Sequence, residues 1–350
     1  MKKVFVMLLV FILAFTLLVG CGGSQGGNDG GEAEEQTVTI KIGHVCAPEH
    51  PCQIAFENFG ERVKEKSNGS MIVEVYPSSQ LGSEREMIEM TMAGSMEIFY
   101  SGSQTLGLFC DAVNFQGLPF FFTGGKPAAR DFFAVYGDEI AQIFDDELGI
   151  HVVWTDNSAY GQASSKKQIV HPEDIKGVKI RTLETEMMIN TYNTLGALPT
   201  PVNAAEVYTS LQQGAIDAAT SNTILLDMMN WKEVSSYYLN SQMFVDMGVS
   251  FWTNEWYNSL SENQQKILDE EFPAFVKEYS ELFTAAEEDI IDKLEASGIV
   301  VTRLDEDLAN EWIEAVQPVY EWFRGAYGDK YPKLEEYIKA AADINANYLD

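Results

Sequence analysis

Positive charge is scarce in this chain: 23 Lys+Arg stand against 53 Asp+Glu in 350 residues, a formal net charge of −30. Nucleic-acid backbones are gripped by clustered Lys and Arg, so nucleic acid is excluded as a partner. Docking on anionic lipid through a basic face is excluded for the same reason. Histidine is rarer still, at 4, which leaves few general bases. From Thr37 onward there is no Gly-x-Ser-x-Gly elbow, no Gly-x4-Gly-Lys-Ser/Thr phosphate loop and no Gly-x-Gly-x-x-Gly after a strand. A catalytic reading is poorly served. The 4 cysteines are too few for a disulfide framework in a chain this long. Apolar substance is plentiful instead: 46% hydrophobic and 12% aromatic residues exclude disorder and suffice for a sizeable core. The length fits one large or two ordinary domains.

The N-terminus reads as an address. Lys2-Lys3, an apolar run from Val4 to Val19 and small residues before a cleavage point form an export signal. Its ending, Leu18-Val19-Gly20-Cys21, resembles the lipobox of bacterial lipoproteins, in which the cysteine is diacylated and becomes the first residue. Cys21 is the expected lipidation site. Gly22 to Gln36 is Gly/Ser/Asn/Glu-rich without a large apolar residue, the composition of a flexible tether. Cys46, Cys52 and Cys110 remain, and Cys46 and Cys52 are either free or bridged.

The body alternates strands and helices. Thr37–Gly43 has the period of a half-buried strand, and a helix with Phe56, Phe59 and Val63 on one face ends at Asn68-Gly69. Strands follow at Met71–Tyr76, Met96–Tyr100, His151–Thr155, Val178–Arg181, Ala215–Ala219, Met243–Thr253 and Gly298–Thr302. Helices are expected at Glu84–Ala93, Ala128–Leu148, Thr185–Leu195 and Ala204–Gln213, and nearly throughout from Glu262. This alternation implies an α/β fold with a largely parallel sheet.

Few residues stand out chemically. His44-x-Cys46-x3-His50-x-Cys52 has the ligand types of a zinc or copper site, but its spacing matches no known finger and Pro48 and Pro51 hold the segment as a loop. It reads as a connection between the first strand and first helix, with no metal. Arg181 ends a strand in a chain poor in cations, and ligands of open α/β sheets bind at strand carboxyl ends. An arginine fork suits a carboxylate, and a structural ion pair is the competing role. The acidic runs Asp145–Glu147, Asp269–Glu271 and Glu287–Asp289 read as solvated helix faces, and Met87–Met96 as core. Trp231, Trp252 and Trp256 fit core or pocket wall equally.

Five blocks then match a known family: Ile42-Gly-His44 with Glu49-His-Pro51; Tyr76-Pro-Ser-Ser-Gln-Leu-Gly-Ser-Glu84; Leu118-Pro-Phe-Phe-Phe122; Pro172-Glu-Asp-Ile-Lys-Gly-Val-Lys-Ile-Arg181; and Leu195 to Asp217. The body resembles the extracytoplasmic solute receptors of TRAP transporters, of the dicarboxylate-binding-protein type. The resemblance implies a periplasmic-binding-protein-like α/β fold, two lobes around a hinge and a central ligand cleft. It implies a non-enzymatic receptor without cofactors that closes on a small organic acid and delivers it to an ion-gradient-driven TRAP-type permease. The receptor is then lipid-anchored outside the bacterial cell membrane, in the periplasm or on the outer face. A ligand-sensing lipoprotein for a signalling partner, or a secreted enzyme on the same scaffold, are the alternatives. The implied layout is a signal peptide at 1–20, a tether at 21–36, one lobe starting at 37–155, the second lobe at 156–248, and a return segment at 249–350 whose C-terminal helices pack across both.

The resemblance assigns the ligand carboxylate to Arg181 and polar contacts to Glu84 and to Gly102 at the third strand's end. Two departures matter. Where many relatives carry a second arginine in Asn-Gly-x-Arg, this chain has Asp156-Asn-Ser-Ala-Tyr-Gly-Gln162, which puts Tyr160 or Gly161 there. The family's ligand-binding asparagine falls on Ser221, with Asn222 one residue later. One cation instead of two neutralises a dianion poorly, so a monocarboxylate or zwitterion is expected, with Tyr160 supplying a hydroxyl or ring face.

Overall fold

The computed structural model describes residues 36–348, which form a single compact unit; Cys21, the export signal and the tether lie outside the described residues. Nine strands make one sheet: β1 Val38–Gly43, β2 Met71–Tyr76, β3 Ile98–Gly102, β4 Ile150–Ser164, β5 Lys179–Thr182, β6 Leu198–Pro201, β7 Ala218–Asn222, β8 Tyr237–Thr253 and β9 Val300–Arg303. Their order is β2-β1-β3-β8-β4-β7-β5-β6, with β9 paired to β8. The expected two-lobed α/β architecture is present. One half is built on β1–β3, the other on β5–β7, and the long strands β4 and β8 run through both.

The sheet is mixed, which corrects the largely parallel expectation. β1 pairs β2 and β3 in parallel, as β5 pairs β6 and β7, but β3–β8, β8–β4 and β4–β7 are antiparallel. Strand–helix alternation detects the crossovers within each half. It carries no information about the two strands that join them, because that pairing spans the sequence. Those strands are also longer than their apolar runs: β4 has 15 residues and β8 has 17. Register shifts in their pairing between Trp154 and Asn157 and between Tyr160 and Gln162 mark irregular points in the crossing.

Local chemistry explains the helices that flank the site. Helix Pro51–Lys66 begins with His50 as N-cap and a proline in its first turn, where a missing N–H costs nothing. Its apolar face meets helix Glu262–Glu287, with Phe56 stacked on Phe275 at 4.2 Å between ring centroids and Phe59 tilted against Phe272 at 4.8 Å. Glu271 shares that face with Leu268 and Phe275, so it is buried, contrary to the solvated expectation. Arg62 at 2.6 Å and Lys66 at 2.8 Å neutralise it. Helix Glu84–Met92 is opened by a capping box between Ser83 and Glu86, which fixes Glu84 in its first turn. Among the described residues no helix is long and apolar enough to cross a membrane.

Candidate ligand-binding site

A cavity of about 60 Å³ lies where strand carboxyl ends and helix starts of both halves converge. Its walls carry Glu84, Ser101 and Gly102 from one half, and Tyr160, Arg181, Asn222 and Asp246 from β4, β5, β7 and β8. A wider groove of about 740 Å³ between Phe120, Gly125, Gln242 and Tyr348 lacks a buried ionisable group and is a weaker candidate.

Arg181 sits in β5 one residue before the strand's end at Thr182, and it is 3% exposed. Its Nε–H donates to the Val202 carbonyl at 2.8 Å and Nη1 to the Thr220 carbonyl at 3.2 Å. The guanidinium lies over Trp231, 5.7 Å from the ring centroid. Among the described residues it makes no ion pair, so the structural-pair role has no partner. Burial lowers its pKa from the ordinary value, opposed by the charge of Glu84, but an arginine remains protonated. The two carbonyls thus aim a desolvated cation at the cavity.

The acids opposite are of a different kind. Glu84 Oε1 accepts a hydrogen bond from Ser101 Oγ at 2.6 Å; burial pushes its pKa up, while that bond and Arg181 oppose the shift. Asp246 is 2% exposed, and its Oδ1 accepts from Ser103 Oγ at 2.8 Å and from the Gln104 amide at 3.1 Å. Its Oδ2 is buried without a partner among the described residues. Burial therefore drives the Asp246 carboxyl up to about 7. Gly102 leaves room for it, since a Cβ there would lie 2.0 Å from Oδ2.

Tyr160 and Asn222 are paired across β4 and β7, which places both on the cavity face. Burial raises the Tyr160 hydroxyl far beyond titration, so it is a neutral donor. Ser221 pairs with Gly161, is fully buried, and turns its hydroxyl to the Asn222 carbonyl at 2.8 Å. It does not line the cavity; Asn222 does. Of the residues anticipated from sequence, Arg181, Tyr160, Asn222, Glu84 and Gly102 come together here. Asp246 was missed, as were Tyr100 and Tyr279, whose hydroxyls meet at 2.6 Å on the wall. A lone acid in the apolar run Met243–Thr253 was the available signal for Asp246. None of the three singled-out tryptophans lines the cavity.

Residues 42–325 match the family described as bacterial extracellular solute-binding protein, family 7. The chain belongs to this family. It is a TRAP-type solute-binding receptor and not an enzyme. It is 31% identical to the uncharacterized protein YiiZ of Salmonella typhimurium over 281 residues, covering 77% of this chain and 83% of YiiZ. It is 24% identical over 309 residues to the C4-dicarboxylate-binding protein DctB of Bacillus subtilis, covering 86% of each. A TRAP periplasmic solute-binding protein of Xanthobacter autotrophicus Py2, solved with bound β-D-galacturonate, superposes with a TM-score of 0.79 at 28% identity, covering 88% of this chain and 99% of that one. Members of the family are extracytoplasmic, and so is this receptor.

The receptor's Asp246 generates a pH effect. Its carboxyl titrates near 7 when folded and near 3.8 when unfolded, so the folded state holds the extra proton between those values. Stability from this group is therefore greatest at low pH and falls as pH rises toward 7. Ligand-free protein moved from pH 5 to pH 8 is expected to lose about 3 kcal/mol more than Asp246→Asn, since about two pKa units of the window lie above pH 5 and each is worth about 1.4 kcal/mol. Urea unfolding at both pH values measures the difference, and parallel profiles contradict it.

Proposed function

We propose that this chain is a lipid-anchored receptor that closes on a sugar acid, a hydroxylated monocarboxylate, and passes it to a TRAP-type permease. The carrying observation is the charge inventory of the cavity: one guanidinium faces two carboxyl groups, Glu84 and Asp246. The ligand carboxylate takes Arg181. Its hydroxyls donate to Glu84 and to the partnerless Asp246 Oδ2, while Tyr160 and Asn222 set its orientation. A second ligand carboxylate lying about 4 Å from an ionised Glu84 would be repelled by about 4 kcal/mol at an effective dielectric constant of 20. This disfavours a C4-dicarboxylate, the ligand class named for DctB, and favours a uronate such as that bound to the Xanthobacter relative. An ammonium of a zwitterion also suits the two acids, but the Tyr160 and Asn222 groups add hydrogen-bonding sites that a polyol uses more fully.

A cavity of about 60 Å³ holds only a few waters, so the solute enters when the halves move apart. We assign residues 37–155 to the first part of one lobe, 156–248 to the other, and 249–350 to a return segment to the first lobe whose C-terminal helices pack across both, with β4 and β8 as the hinge strands. Their irregular register near Trp154–Asn157 supports bending there. The lipobox-like Leu18–Cys21 and the polar stretch after it support an anchor at Cys21 and a tether of 21–36.

Calorimetry with D-galacturonate, D-glucuronate, succinate, malate and an α-amino acid tests the ligand class. Uronates are expected to bind tightest, and Arg181→Ala to cost about 2–5 kcal/mol of affinity with its melt confirming a fold. Tighter binding of succinate or malate, or an undiminished variant, overturns the assignment. The anchor is checked separately by mass spectrometry of the processed N-terminal peptide, in which an unacylated Cys21 refutes it.

A further inference from the structure

We propose that His44, Cys46 and Cys52 form a binding site for a thiophilic divalent cation of the zinc class, sharing a wall with the solute cavity. In sequence these residues read as a metal-free loop, because His44-x-Cys46-x5-Cys52 fits no known finger. Folding removes that objection. The segment turns back on itself through Pro48 and Pro51, so Cys52 in the first turn of helix Pro51–Lys66 comes beside His44 at the end of β1. The imidazole nitrogen and both thiol sulfurs lie within 4.8 Å of one another, and all three residues are buried. Cys52 Sγ is 3.8 Å from His44 Nδ1. Zinc bonds of about 2.0–2.3 Å in tetrahedral geometry separate ligand atoms by roughly 3.5–4 Å, so small side-chain shifts complete the site.

The surrounding hydrogen bonds prepare the histidine for this role. Glu57 carboxylate oxygen accepts from Gln53 Nε2 at 2.7 Å, which fixes the orientation of the Gln53 amide. Gln53 Oε1 therefore faces His44 Nε2 at 2.8 Å, and Nε2 must carry the hydrogen. The lone pair is left on Nδ1, on the side of Cys52. Metal-binding histidines are oriented by such a bond from the other ring nitrogen. His50 is held differently: its Nδ1 accepts the Cys52 amide at 3.2 Å as the helix N-cap and lies 3.1 Å from Cys52 Sγ, a thiol contact that cation binding at Cys52 replaces. That leaves three protein ligands, with water or a small anion as the fourth.

Charge and access fit as well. Each thiol releases its proton to water as its sulfur–zinc bond forms, and two thiolates with one divalent cation leave no net charge to bury. No oxidant is needed. Cys46 lines the solute cavity, which gives the cation a route inward. Both cysteines are free thiols. In an oxidising compartment a Cys46–Cys52 disulfide is the competing state, and it excludes the metal.

The test is titration of the full-length chain, reduced and metal-free, with cobalt(II) as an absorbing substitute for zinc. One equivalent is expected to bind with thiolate-to-cobalt charge-transfer absorption that zinc then displaces. Cys46→Ser and Cys52→Ser should each abolish that absorption, His44→Gln should weaken uptake at least tenfold, and Cys110→Ser should leave it unchanged. Thermal melts of every variant separate lost ligation from lost folding. Absence of saturable uptake by the reduced chain, including chain isolated with a Cys46–Cys52 disulfide and then reduced, overturns the proposal. So does undiminished uptake by both serine variants.

Discussion

A buried guanidinium with no ion-pair partner among the described residues is the constraint around which the candidate site is arranged. Removing a charge from water costs several kcal/mol even after a protein relaxes around it. Arg181 recovers part of that through the Val202 and Thr220 carbonyls and the face of Trp231, but none of these carries a full negative charge. The remainder is available to a ligand carboxylate. In a chain with a formal charge of −30, long-range attraction does not bring an anion in. Local desolvated contact must hold it.

The opposite wall follows from the same economy of charge. Asp246 is buried with one oxygen unpartnered among the described residues, and burial raises its pKa to about 7, so it is mostly neutral below that pH. A carboxyl in that state both accepts and donates, so it suits a hydroxyl better than an ion. Gly102 is what allows it to sit there. On the proposed assignment, specificity against dianions comes from repulsion at an ionised Glu84 as well as from attraction at Arg181. The cysteine–histidine cluster meets the cavity through Cys46 beyond the end of β1, so ordering that loop also shapes the cavity.

Legibility in the sequence divided along physical lines. Arg181 was readable because a cation at a strand end in an acid-rich chain has few roles, and because its Lys-Gly-x-Lys-x-Arg setting is specific. Tyr160 and Asn222 were candidates, but only β4–β7 register shows that they share a face while Ser221 turns away. Asp246 was hidden because its importance depends on burial, and one acid among 53 carries no mark of that. Glu271 shows the same limit in reverse: it looked solvated within an acidic run, yet helix periodicity turns it onto Arg62 and Lys66. Strand and helix positions were mostly plain from period and turn residues. The lengths and antiparallel joining of β4 and β8 were not, since they are set by partners distant in the chain.

In the proposed complex Arg181 holds a solute carboxylate while Glu84 and Asp246 hold its hydroxyls. A crystal structure of the receptor with D-galacturonate examines this directly. The expected density places the carboxylate within hydrogen-bond distance of the Arg181 guanidinium and sugar hydroxyls against Glu84 and Asp246 Oδ2. A carboxylate bound away from Arg181, or hydroxyls that leave Asp246 Oδ2 without a partner, contradicts it.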